Sequence, residues 1–217
     1  MITFKINKKA VSIPLSWDEV TYKAYCEILN SDSDTTALLS IFTGIDCETL
    51  KKAKVIGLED LITVLSFTTK PPKIQGYYSE IGAYKLPKNK DGQFNIQFES
   101  LAQFEDMRSI FKKLPDNTEV KDMAVAYGKV VAIYLQSVRD GEYNHEAAKQ
   151  MVETEIYNMP MLPIISMGSF FFAKLLSLST GMNLSYRPTV QTQKRSKQGT
   201  TSSRKHSGRT GLSRKRR

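Results

Sequence analysis

Apolar residues at every second position open the chain. Ile2, Phe4 and Ile6 alternate with polar neighbours, and after Asn7-Lys8-Lys9 the alternation resumes at Val11 and Ile13. A period of two is that of a half-buried strand, so the spacing predicts a small β-hairpin that Pro14 ends. From Trp17 the period lengthens. Trp17, Val20, Tyr25, Ile28 and Leu29 fall at helical spacing over about 17–30, and Ser16 followed by Glu19 is a capping box for that helix. Short helices are predicted over 35–42, from Asp46 through Leu50, and over 58–67 before Pro71-Pro72. Gly44 and Asp46 are the residue types that close one helix and open the next.

Beyond Ile74 the pattern returns to strand. Tyr77, Tyr78, Ile81, Tyr84 and Leu86, the turn KNKDG, then Phe94, Ile96 and Phe98 predict a second hairpin over about 77–98. Ser100 caps a helix to about Lys113, with Leu101, Phe104, Met107, Ile110 and Phe111 as its apolar face. The longest helical pattern, 118–138, follows Pro115 and stops at Asp140-Gly141. A more polar helix over 145–157 and an apolar one over 163–178 complete the series. The apolar one reads as a buried core helix, since apolar residues surround nearly its whole circumference. Pro160, Pro163 and Lys174 make its uninterrupted part too short for a bilayer span. The fold class expected is α+β: predominantly short helices with two small β-hairpins and a disordered basic C-terminal tail. The organisation expected is 1–72 (hairpin and short-helix bundle), 73–187 (second hairpin and helical region, one domain with the first or separate) and 188–217 (tail). No repeat at a fixed period is visible, which argues against a solenoid.

Charge changes the picture more than composition does. The chain of 217 residues carries a formal net charge of +9. Residues 1–193 hold 21 Lys/Arg and all 22 Asp/Glu, so the body is close to neutral. The excess is the ten basic residues of the last 24: Lys194, Arg195, Lys197, Arg204, Lys205, Arg209, Arg214, Lys215, Arg216 and Arg217. With Leu212 as its only large apolar residue, this tail cannot offset its ordering entropy by burial. Such a cluster attracts polyanions by counterion release. It reads either as an arm for nucleic acid, an acidic protein or an acidic surface, or as a solubilising tail with no dedicated partner.

Candidate chemistry is sparse. Cys26 and Cys47 show no metal-ligand or CxxC spacing and read as small packed residues in a reducing compartment. No HExxH, GxSxG or Walker-type loop occurs, and Gly76 and Gly82 lack the strand–glycine–helix context of a dinucleotide site. His145 reads as an exposed residue at a helix start. The carboxylate pairs Asp18/Glu19, Glu59/Asp60, Glu105/Asp106 and Glu153/Glu155 read as helix-end or solvated groups. Lys51, Lys52 and Lys54 read as a helix-terminal charge cluster rather than a DNA-reading face. No enzymatic activity, cofactor or metal is expected, nor a membrane partner.

The hairpin, the opening Ser16-Trp17-Asp18-Glu19-Val20-Thr21, the phrase Leu39-Ser40-Ile41-Phe42-Thr43-Gly44-Ile45 and the stretch 58–67 running into Lys70-Pro71-Pro72 resemble the tail assembly chaperones of tailed bacteriophages, especially Bacteroides-phage versions. The stretch 168–176 (GSFFFAKLL) and 193–199 are similar to the same group. The resemblance covers about half the chain and leaves 77–160 without an anchor. It implies a non-enzymatic role in the host cytoplasm, binding tape-measure and tail-tube proteins through apolar grooves between helices, often with homo-oligomerisation. The dense basic terminus is not something that role is known to require. It supports an alternative reading, a virion or DNA-packaging accessory that binds nucleic acid through the tail.

Overall fold

Alternation does produce the first hairpin. In a computed structural model, β1 (Ile2–Ile6) pairs antiparallel with β2 (Lys9–Ile13), with Phe4 opposite Val11 and Ile6 opposite Lys9. Asn7, at φ 50°, supplies the left-handed turn conformation that Asn tolerates better than most residues. Phe4, Ile6, Val11 and Ile13 are thereby buried on one face. The structure describes residues 1–7, 9–31, 34–53, 58–87, 90, 94 and 98–180. The basic tail and Gly181 lie outside the described residues, as does most of the KNKDG turn.

The helix predicted over 17–30 is two elements. Trp17–Glu19 is a single 3-10 turn, and α1 (Tyr22–Leu29) starts afresh after Val20 and Thr21. The cause is a contact far away in sequence: the Tyr22 N–H donates to the Met159 carbonyl (2.8 Å) and the Met161 N–H to that of Val20 (3.0 Å). That backbone bridge holds Val20 extended, so no helix can run through it. The capping box is rearranged accordingly. Ser16 makes no capping bond, Thr21 caps α1 by accepting from Ala24 N–H, and Glu19 accepts from Leu15 N–H at 2.7 Å and from the N-terminal ammonium.

The next elements follow their local signals: α2 (Thr35–Thr43), α3 (Cys47–Lys52) and α4 (Leu58–Leu65), the last extended by a 3-10 turn to Thr69. Asp34 and Asp46 accept from Ala37 and Thr49 N–H, and Gly44 closes α2 at φ 67°. The second hairpin turns elsewhere than expected: β3 (Glu80–Ile81) and β4 (Tyr84–Lys85) are joined through Gly82 at φ 56°, so both lie within the stretch read as its first strand, and most of the expected partner strand lies outside the described residues. Four helices complete the fold: α5 (Leu101–Lys112), α6 (Val120–Asp140), α7 (His145–Thr154) and α8 (Met161–Thr180). The described residues thus form an α+β fold with eight α-helices and two two-stranded antiparallel sheets.

Met1–Tyr186 is one compact unit containing two apolar clusters. The smaller one gathers the inner face of the first hairpin with Leu38, Leu39, Leu50, Leu61 and Leu65. The larger surrounds α6 and α8. Helix α1 serves both, sending Ile28 to the small cluster and Tyr22, Tyr25 and Cys26 to the large one.

Two glycines make the larger cluster possible. At Gly168 of α8, a methyl group would fall 2.8 Å from the Cα and 2.6 Å from the Cγ of Tyr127, and closer still to its Cβ. At Gly128 of α6, it would meet Tyr22 Cε1 at 2.5 Å. The Tyr22 hydroxyl donates to the Ala124 carbonyl and accepts from the Gly128 N–H at 3.0 Å, bridging two groups one helical turn apart. Burial pushes this hydroxyl well above the ordinary tyrosine range, so it stays protonated and able to donate.

Helix α8 corrects one expectation. Pro163 sits in its first turn, where proline is tolerated, so the helix runs unbroken. By length and composition 161–178 is long and apolar enough to cross a membrane, with 56% of that window buried inside the fold. Met161, Ile164, Met167 and Phe171 are fully buried, whereas Leu176 and Leu178 near the helix end are exposed.

Candidate functional site

Two grooves open on this body. The first forms around Trp17. Pro14 ends the hairpin and the 3-10 turn carries the indole across to the end of α4, where its Nε1–H donates to the Lys70 carbonyl at 2.9 Å. Phe67 and Tyr25 meet the indole edge to face, at ring-centroid distances of 5.2 and 5.8 Å, and Phe42 lies 6.3 Å from Phe67. Beside this cluster is a groove of ≈ 610 Å³ walled by Leu15, Trp17, Val64, Phe67, Pro71 and Leu162. Asp18, Lys70 and Lys73 also line it. Leu15 is 47% exposed, and Ile62, next to the lining residue Thr63, is 52% exposed.

The second groove is a trough of ≈ 940 Å³ among α5, α6 and α7. Helix α5 contributes Asp106, Ser109 and Ile110, and the turn that ends it contributes Lys113 and Leu114; α7 contributes His145, Ala148, Lys149, Val152 and Glu153. The α7 set has the spacing i, i+3, i+4, i+7, i+8, which is one helix face, and Asp106, Ser109 and Ile110 share one face of α5. Asp122, Val125, Ala126, Lys129 and Ile133 of α6 form the floor. Helices α5 and α7 each pack on α6. At one end Asp106 joins them, its Oδ2 lying 2.7 Å from His145 Nδ1 and accepting from the Tyr143 hydroxyl. Burial raises the Asp106 carboxyl, but the Tyr143 and His145 hydrogen bonds outweigh it and hold the group below the usual carboxylate range.

That clasp was not legible in the sequence. His145 is 51% exposed as expected, yet it is engaged. Among the described residues, the other singled-out carboxylates have separate partners or surroundings, and the Glu59 side chain lies outside them. Asp18 accepts from Ser16, Glu105 pairs with Arg108, and Glu155 accepts from Tyr84 and Arg139 while Glu153 lines the trough. Lys52 pairs with Glu48 along α3. Among the described residues no group of three or more His, Cys, Asp or Glu could hold a metal ion, and Cys26 and Cys47 are free thiols. Cys26 is buried and pushed up from the ordinary thiol range by that burial, so it is a poor nucleophile. All ten basic tail residues, from Lys194 to Arg217, lie outside the described residues.

A second feature missed from sequence is Gln103. It replaces Leu101 on the inner face of α5: Leu101 is 76% exposed and Gln103 fully buried. Its Nε2 donates to Ser137 Oγ at 2.7 Å and to the Ile133 carbonyl at 3.3 Å, and its Oε1 accepts from Glu99 N–H. The face 103, 107, 110, 111 has helical spacing, but an apolarity count passes over a glutamine.

Fold and grooves together define a helical α+β body with two partly apolar grooves open to solvent. No family model, no curated protein and no solved structure matches the chain.

Proposed function

We propose that the protein is a non-enzymatic bacteriophage morphogenesis protein, a tail assembly chaperone that binds segments of tape-measure and tail-tube proteins. One observation carries this reading. The separate stretches behind the family resemblance, 16–21, 39–45, 58–67 and 70–72, supply the Trp17–Phe67–Phe42 cluster and much of the groove beside it. Aromatic anchors beside a partly exposed apolar wall are the usual makings of a protein-binding hot spot, and a groove between short helices suits helix-in-groove recognition. The test is capture of co-expressed tape-measure and tail-tube proteins by the full chain. Capture is expected, and Leu15→Asp, at an exposed position on the groove wall, should weaken it at least tenfold, or about 1.4 kcal/mol. Failure to capture either protein overturns the reading.

Charge segregation favours a second reading, a virion or DNA-packaging accessory whose basic tail binds nucleic acid. Ten Lys/Arg without an acid in the last 24 residues would make duplex binding steeply salt-dependent. Affinity that survives replacing those ten residues by Ser and Gln would contradict it.

A further inference from the structure

We infer that the trough among α5, α6 and α7 is a docking site for a carboxylate-bearing amphipathic helix of a partner protein. It is separate from the Trp17 groove and does not rest on the phage reading. Helices α5, α6 and α7 line it, and a fourth helix laid between α5 and α7 would complete a four-helix arrangement. The α7 wall, from i to i+8, spans about 12 Å at 1.5 Å per residue, room for two to three turns of an incoming helix. Ile110, Leu114, Val125 and Val152 are half-buried along it and supply the apolar floor and walls that such a helix would cover.

The choice of occupant comes from charge. Three lysines line the trough: Lys129 of α6, Lys149 of α7, and Lys113, which caps the C-terminus of α5. Lys149 is paired with Glu146, but neither Lys113 nor Lys129 has an ion-pair partner among the described residues. Asp106, the acid at the His145 end of the trough, already accepts from Tyr143 and lies against His145. Asp122 and Glu153 lie toward the Pro115 and Tyr157 end, where a basic residue at one end of the occupant would meet them. A helix with an apolar stripe, carboxylates along its middle and a cation at one tip matches that layout.

The probes are two labelled synthetic helices of about four turns. They share one leucine stripe, flanked by Glu in one and by Lys in the other. Fluorescence anisotropy with the full chain reads binding. The Glu-flanked helix should bind at least tenfold tighter than the Lys-flanked one, and the exposed double change Lys113→Glu/Lys129→Glu should invert that order while leaving the circular dichroism unchanged. A photo-crosslinker on the bound helix should label α5 or α7. No binding by either helix overturns the inference, as does equal binding that ignores the lysine reversal or crosslinking at the Trp17 groove. Self-association of the chain abolished by Lys129→Glu would also overturn it, because a second copy would then cover the trough.

Discussion

Gly168→Ala gives the sharpest stability prediction. In an isolated helix interior, replacing Gly by Ala stabilises by about 0.8–1 kcal/mol. Here the new methyl would meet Tyr127 Cα at 2.8 Å and Cγ at 2.6 Å, whereas ordinary contact begins near 3.4 Å. Rotating the Tyr127 ring relieves the Cγ contact but not those with Cα and Cβ, so the helices themselves must part, by about 0.6 Å or more. A gap of that order forfeits about a quarter to a half of each dispersion contact along the seam, where Ile164, Met167, Phe171, Val131 and Leu135 are buried. Overpacking of this kind costs about 1–3 kcal/mol, occasionally more. The steric cost exceeds the propensity gain, and the net expected is destabilisation by about 1–2 kcal/mol. In a body of this size that lowers Tm by about 2–8 °C. Urea denaturation followed by circular dichroism measures it, with Gly76→Ala as the control, since a methyl there meets nothing within 4 Å. A Gly168→Ala protein as stable as the parent, or more so, would refute the close-contact account of the α6–α8 seam.

Three further outcomes are expected. Gly128→Ala should destabilise through its clash with Tyr22, and Tyr22→Leu should recover part of that loss, giving a coupling of about 0.5–3 kcal/mol in a double-mutant cycle. Tyr22→Phe alone should cost about 0.5–1.5 kcal/mol, because Ala124 and Gly128 can bond each other once the hydroxyl is gone. The Arg139 guanidinium, helped by the Gln136 amide, holds the Asp140 carboxyl down to about 2. A depressed folded-state pKa stabilises above the ordinary value near 3.8, and that contribution is lost as pH falls toward 2. Carbon-detected titration should show Asp140 returning to the ordinary range in Arg139→Ala.

What the sequence made legible was local. Asp46 and Ser100 cap helices and Gly44 and Gly141 close them, because each acts on a backbone group within four residues. What it hid was long-range. The break at Val20 depends on Met159 and Met161. The burial of Gln103 depends on Ser137, and the clasp on Asp106 meeting His145, 39 residues away. The Trp17 groove was half-visible: its segments were noticed one by one, but a linear pattern cannot say that they converge. The trough among α5–α7 lay in the stretch without an anchor. Its three faces can be read as helical from spacing, yet nothing in spacing says that they turn toward one another.

The docking role proposed for the Trp17 groove has a built-in reporter, since Trp17 is the single tryptophan of the chain. The decisive measurement is its emission during titration of the full chain with tape-measure protein. The account predicts a saturable change in intensity or wavelength that Leu15→Asp shifts to at least tenfold higher concentration. Binding that leaves Trp17 emission unchanged and ignores Leu15→Asp, or no binding at all, would contradict it.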